Sequence, residues 1–206
     1  MGLADPHCHT TASDGMASPA QLVAGARAAG LDLIAITDHD TMRNAREVRE
    51  RGEEAGLAVV EGQEITTRWP AQTHLVGWFL AHPIRSGLSL EATVDAIHAQ
   101  GGLAVIPHPF MPTYFASCQP AMLARLIADR RLDGIEVLHT APMTSGRRRQ
   151  LAVNRPGNLG GSGPPSVPIG RWGSMHVRRH SPRDSPQSAG QCNHLRRSSL
   201  PGPPQH

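Results

Sequence analysis

The chain has no lysine; all 20 of its basic residues are arginine. With abundant alanine, glycine and proline, this bias suits a GC-rich coding sequence and says nothing about function. It does exclude a metal centre built on a lysine-borne ligand. Cysteine is scarce as well. Three residues, Cys8, Cys118 and Cys192, are too far apart and odd in number for a disulfide framework, so a reducing compartment is the simpler setting. No run approaches the roughly 18 apolar residues of a membrane span. Met1 to Asp5 shows no basic stretch leading into an apolar one, so no signal peptide is expected. The expectation is a soluble, cytoplasmic protein.

Excess charge of one sign is also absent where it matters. The net charge of +3 is the sum of −3 over residues 1–151, with 13 Arg against 16 Asp and Glu, and +6 over residues 152–206, with 7 Arg against Asp184 alone. The patterned part is mildly acidic. The basic stretch has no aromatic interleaving beyond Trp172, so contact with nucleic acid there would be nonspecific and salt-dependent.

Strand-like and helix-like signals alternate over residues 1–151. Leu3 to His7 is a short apolar start. Ser18-Pro19 gives a helix cap and first-turn proline ahead of Leu22, Val23, Ala26 and Ala29, with Gly30 as the stop. Leu33 to Ile36 reads as a buried strand, Thr41 as the cap of a charged helix reaching Glu54, and Leu57 to Val60 and Leu75 to Leu80 as strands. A helix from Ser89 to Gly101, a strand over Leu103 to Ile106, a helix over Pro120 to Arg130 and a strand over Gly134 to Leu138 complete the series. Apolar strands separated by helices imply a parallel sheet in an α/β fold, with an incomplete or distorted (β/α) barrel as the expected form. From Ala152 the periodicity ends, and nine of the 18 prolines follow. That tail, residues 152–206, cannot bury enough surface to offset its ordering entropy and is expected to be disordered.

The polar residues are grouped. His7-Cys8-His9, Asp38-His39-Asp40, Gly62-Gln63-Glu64 with His74, and Pro107-His108-Pro109 all stand where apolar runs end. On a strand, His7 and His9 share a face by simple alternation. Alone, such a pair is more often a solvated strand end. Asp14 in Ser13-Asp14-Gly15 is more often a turn residue than a ligand. A His between two carboxylates is harder to explain blandly: one Asp can orient the imidazole, and the other can begin the next helix. Glu64 offers two oxygens and can bridge two ions, although an exposed strand-end Glu is its plain alternative. His74, just before a strand, reads alone as evenly ligand or bystander. His108 sits on a stiff connection between two prolines that would fix an imidazole, with a simple loop His as the alternative. Glu136 reads as a group behind the ligands or on the substrate side. His82, His98 and His139 have no such placement. Together, the clusters at consecutive strand ends point to divalent metals.

In their order, His7-Cys8-His9 with Ser13-Asp14-Gly15, Ile36 to Thr41, Gly62-Gln63-Glu64, His74-Leu75-Val76-Gly77 and Pro107-His108-Pro109 resemble the motifs of the PHP (polymerase and histidinol phosphatase) family over residues 3–150. The resemblance implies a distorted, TIM-like (β/α)7 barrel and a metal-dependent phosphoesterase. Its closest likeness is to stand-alone members that cleave small phosphomonoesters or nucleotide phosphates. It also implies up to three divalent ions, variously Mn, Fe or Zn. By that resemblance His7, His9 and Glu64 hold the first ion, Glu64, His74 and His108 the second, and Asp14 and His39 the third. His7, His9, Glu64 and His39 then serve catalysis, in which metal-bound hydroxide attacks phosphorus. A short oligonucleotide or nucleotide end is the form in which nucleic acid would be a substrate, and no membrane partner is implied.

One family motif is missing. A Gly-Ser-Asp-x-His-like segment is expected after the strand of Glu136, yet Gly161-Ser162-Gly163 runs into Pro164, and His176 and His180 have no neighbouring carboxylate. The sequence therefore reads as a PHP domain that is C-terminally truncated or frameshifted, its barrel incomplete at that end and its ions fewer than three. The alternative from another class is an inactive metal-binding fragment. A third reading, C–N bond hydrolysis on the related amidohydrolase architecture, lacks the lysine that architecture uses.

Overall fold

The computed structural model describes residues 3–69, 72–111, 116–129, 131–138 and 158–160. Seven strands alternate with four helices: β1 (Ala4–Cys8), α1 (Pro19–Ala28), β2 (Leu33–Ile36), α2 (Ala45–Glu54), β3 (Ala58–Thr66), β4 (His74–Trp78), α3 (Leu90–Ala99), β5 (Leu103–Ile106), α4 (Pro120–Ala128), β6 (Gly134–Leu138) and β7 (Asn158–Gly160). The strands lie in sequence order in one curled sheet, a mixed α/β fold corresponding to part of a TIM-like barrel.

Local chemistry sets most helix limits. Ser18 and Gln21 form a reciprocal capping box at α1, with Pro19 in its first turn, and Gly30 at φ 73° turns the chain back toward β2. Ser89 caps α3 through the Ala92 N–H. The expected cap at Thr41 is not one. Its hydroxyl accepts the Arg43 N–H two residues on, and α2 begins only at Ala45, after Asn44. Threonine satisfies a local turn here instead of a helix end.

The sheet is not all parallel, contrary to the expectation from strand–helix alternation. β4 runs antiparallel to both β3 and β5, while the other four pairings are parallel. The cause is connection length. Thr66 pairs with His74, and Thr67 N–H donates to the Thr73 carbonyl at 3.1 Å, leaving a loop far too short for a helical crossover. A second departure is β3 itself, which runs on past Val60 to Thr66, so Glu64 lies on a strand and not after one. A Cβ on Gly62 would collide with the Gly77 carbonyl, which explains glycine at position 62, while a Cβ on Gly77 would press on the Leu80 and Ile97 side chains. The boundary at 151 and the 152–206 tail fall outside the described residues apart from Asn158–Gly160. These three residues form β7, parallel to β6, although their sequence shows no strand pattern.

Alternation along the strands separates two faces. Ile34, Ile36, Ile65, Leu75, Ala104, Ile106 and Ile135 face the helices and pack with Leu22, Val23, Val48, Val94, Ile97, Leu123 and Leu126. Each of the Val, Leu and Ile side chains contributes about 1.5–3 kcal/mol by leaving water. The opposite face carries a smaller cluster of Ala35, Val76, Trp78 and Val105, in which the Trp78 indole donates to the Pro6 carbonyl at 3.1 Å. His7 and Glu64 stand on that inner face, above this apolar floor. Among the described residues, no helix is long and apolar enough to cross a membrane.

Candidate metal centre

Five elements deliver donors to one place. β1 brings His7 and, just past its end, His9. The extension of β2 brings His39, and β3 brings Glu64. β4 brings His74 at its first residue, and because β4 is antiparallel, its start lies at the same end as its neighbours' finishes. The segment after β5 brings His108. The β2 extension is fixed to β3 by a parallel bridge between His39 and Glu64, and Asp40 N–H donates to the Glu64 carbonyl at 2.9 Å.

Glu64, 1% exposed, is the hub. His7 Nε2 and His9 Nε2 lie 2.9 and 3.0 Å from its Oε2, and His39 Nε2 lies 3.6 Å from the same oxygen. His74 Nδ1 and His108 Nε2 lie 2.8 and 2.9 Å from Oε1. The two oxygens thus serve two different sets of imidazoles. Asp14, on the β1–α1 loop, meets His9 Nδ1 at 2.6 Å and His39 Nε2 at 3.7 Å. Every sequence-predicted ligand (His7, His9, Asp14, His39, Glu64, His74 and His108) is in this cluster. Glu136 stands behind it, accepting the His108 backbone N–H and lying 3.6 Å from His7 Nδ1.

The electrostatics follow from this crowding. Burial would lower the pKa of His7, but the charge of Glu64 and hydrogen bonds with Glu136 and Glu64 outweigh it and hold His7 well above its usual value. His9 is raised too, because its bonds to Asp14 and Glu64 overcome burial. His39 has less carboxylate support; burial, with His9 and His74 nearby, lowers it. Burial pushes Glu64 up, yet His7, His108 and His74 together bring it well below the usual carboxylate range. The hydrogen bond from His9 brings Asp14 down to about 2.

The residues fit divalent cations. His7 Nε2 and His9 Nε2 are 2.9 Å apart and both aim at one carboxylate oxygen. Neutral tautomers can share one hydrogen bond across this contact, and a cation held between the two nitrogens and the oxygen would engage all three lone pairs at once. Three donor groups have ligand atoms mutually within 4.8 Å: His7–His9–Glu64, His9–Asp14–His39 and His39–Glu64–His74. Mixed imidazole and carboxylate donors suit Zn, Mn or Fe.

The family model of the PHP domain matches residues 5–104, which carry His7, His9, Asp14, His39, Glu64 and His74. An uncharacterised protein of Methanocaldococcus jannaschii is 36% identical over 163 residues, covering 74% of this chain and 90% of its own length. The chain belongs to the PHP family. A 5'-3' exoribonuclease of Haemophilus influenzae is 43% identical over 74 residues, which are 35% of this PHP chain but only 27% of the exoribonuclease. A solved structure from Bifidobacterium adolescentis, assigned as a metal-dependent phosphoesterase, superposes with a TM-score of 0.66 at 22% identity, covering 84% of this chain and 90% of that one; the likeness is one of fold.

Other polar residues lie elsewhere or act differently. His98 pairs with Asp133 at 2.8 Å, far along the chain from the ligand set, and tethers α3 to the β6 approach. His82 meets Gln100 through its backbone. His139 and the Gly161-Ser162-Gly163, His176 and His180 positions lie outside the described residues. Neither carboxylate flanking His39 takes the parts expected of the pair, orienting the imidazole and beginning a helix: Asp40 accepts the Thr66 N–H at 2.8 Å from a positive-φ position. Asp38 bonds to the β1–α1 loop. Sequence reasoning did not single out the exposed apolar side chains of the loops. The two exposed large apolar side chains among the described residues, Met16 and Trp69, each 74% exposed, lie on the β1–α1 loop and the β3–β4 loop.

Proposed function

We propose that this chain is a divalent-metal-dependent phosphoester hydrolase whose substrate class is a nucleotide or oligonucleotide-end phosphate. One observation carries the reading: a single buried carboxylate, Glu64, presents one oxygen to His7 and His9 and the other to His74 and His108. In this reading His7, His9 and Glu64 hold one ion and Glu64, His74 and His108 a second, while Asp14 and His39 stand at a third position. Bound ions supply the charge that acidifies a water and offsets negative charge building on phosphoryl oxygens.

The protein's own residues do the rest. Val76, Trp78 and Val105 close the centre from below and keep water from that side. Glu136 fixes His7 and the His108 backbone from behind, so that both rings keep their aim. The approach is from the loop side, where Asp14 and His39 are the most exposed members, at 55% and 26%. Trp69 lies three residues beyond Thr66, within about 10 Å of chain reach, and offers an aromatic face on which a base can stack.

The test is a metal titration of the full chain alongside hydrolysis of a nucleotide panel and p-nitrophenyl phosphate. Metal-dependent turnover abolished in Glu64→Gln supports the reading. Trp69→Ala should raise KM for nucleotides and leave p-nitrophenyl phosphate unchanged. Tight metal binding without turnover of any phosphoester favours the second reading, a metal-binding domain without activity. That reading rests on the absence of a Ser-Asp-x-His segment anywhere after Glu136.

A further inference from the structure

Asp38 is 1% exposed at the end of β2, and none of its hydrogen bonds goes to an imidazole. Its carboxylate accepts the Thr10 backbone N–H at 2.7 Å, the Thr10 hydroxyl at 2.6 Å and the Ser13 hydroxyl at 2.7 Å. All three donors belong to the β1–α1 loop. The Asn44 amide, just before α2, donates to Thr10 Oγ1 at 3.0 Å and closes the network. The next residue of that loop is Asp14. Its carboxylate is 55% exposed, so no packing holds it in place, yet it meets His9 at 2.6 Å. A Cβ on Gly15 would collide with the His9 backbone, so the loop folds close over the strand end it serves.

The exposed Asp14 side chain can meet the imidazoles only if its backbone holds it within their reach, and the Ser13 hydroxyl that bonds Asp38 also lies 3.4 Å from the Asp14 carboxylate. Here the backbone is held by a buried anion with charge-assisted hydrogen bonds, the kind that keep their geometry. We propose that Asp38 is a positioning residue of the metal centre: by clamping Thr10 and Ser13 it places Asp14 against His9 and His39, and so completes the outermost donor group. The proposal rests on the metal-centre reading above.

The experiment is a Mn2+ titration of the full chain by calorimetry, with bound metal counted by mass spectrometry. Asp14→Asn identifies the ion that depends on this group. Asp38→Asn and Thr10→Val should weaken that same ion roughly 10–100-fold, the usual effect of losing a group that orients a ligand, and leave the others in place. Thr10→Ser keeps the hydroxyl and should bind like the unmodified chain. Val48→Ala, a core truncation in α2, should lower the melting temperature without moving that ion, which separates positioning from general loosening. If Asp38→Asn does not fold, the Thr10 pair decides. Equal affinity for every ion in the unmodified chain, Asp38→Asn and Thr10→Val would overturn the role of Asp38 alone. An unmodified chain that binds no Mn2+ would overturn the metal-centre reading itself.

Discussion

Glu64 concentrates the chemistry of this molecule in one side chain. Replacing it with Gln keeps the shape but removes the one charge facing five imidazoles. Glu64→Gln should therefore lose more bound metal than any single His→Ala change, counted by mass spectrometry on folded protein; equal metal content in Glu64→Gln and unmodified protein contradicts the bridging assignment. The same residue governs the pH response. In metal-free protein, His7 and His9 are raised above 6.5, so their contribution is full below that value and fades as pH rises through their folded values. Glu64 is lowered, so its contribution is present above 4.5 and lost as pH falls. His39, lowered, opposes the other two imidazoles and moves the maximum toward the upper end of that window. Thermal melts in EDTA should accordingly peak between 4.5 and 6.5 and decline toward alkaline pH. Melts with excess Mn2+ should instead gain stability over that rise, because ions bind deprotonated imidazoles. Parallel curves with and without metal would contradict this.

Among the elements, the β3–β4 hairpin decides the site. Had β4 been parallel, its first residue would sit at the opposite end of the sheet, and His74 could not reach Glu64. The strand's identity was legible in Leu75 to Trp78; its direction was not, because alternation is the same read either way. Helix limits followed the sequence where caps are local, as at Ser18 and Ser89. They failed at Thr41, where a threonine serves equally well in a turn. The α3 contact between His98 and Asp133 makes a contrasting prediction. Asp133 also accepts the Ala104 N–H at 2.8 Å, so His98→Ala removes one tether among several and should cost about 1 kcal/mol in denaturant unfolding. Bound metal should be unchanged in that variant. Loss of metal comparable to that in His9→Ala would mean that the two sites are coupled through the sheet.

For the whole molecule, β7 is the element that composition gave least reason to expect. Asn158–Gly160 pairs with β6, so a chain ending after Leu138 should be less stable than one ending after Gly160 and should aggregate through the bared β6 edge. Equal behaviour of the two would show that β7 carries no weight. Mn2+ at 100 times its dissociation constant should raise stability by about 2.7 kcal/mol, checked by denaturant melts with and without EDTA.

The residue types determined a good deal unaided. Imidazoles and carboxylates at the ends of apolar runs point to a metal-binding chemistry, because few other tenants suit such a donor set. The alternation of apolar runs with capped helices likewise specifies an α/β layering. Only the tertiary structure decided which oxygen of Glu64 faces which imidazole, that His74 arrives from an antiparallel strand, and that Asp38 grips Thr10 and Ser13 instead of His39. These are relations between residues up to 57 positions apart. Spacing along a chain fixes which side of its own strand a residue occupies. The angle and register at which separate strands meet are set by the packing of Ile34, Ile65, Leu75 and Ile106 against the helices, and that packing carries the donors to one point.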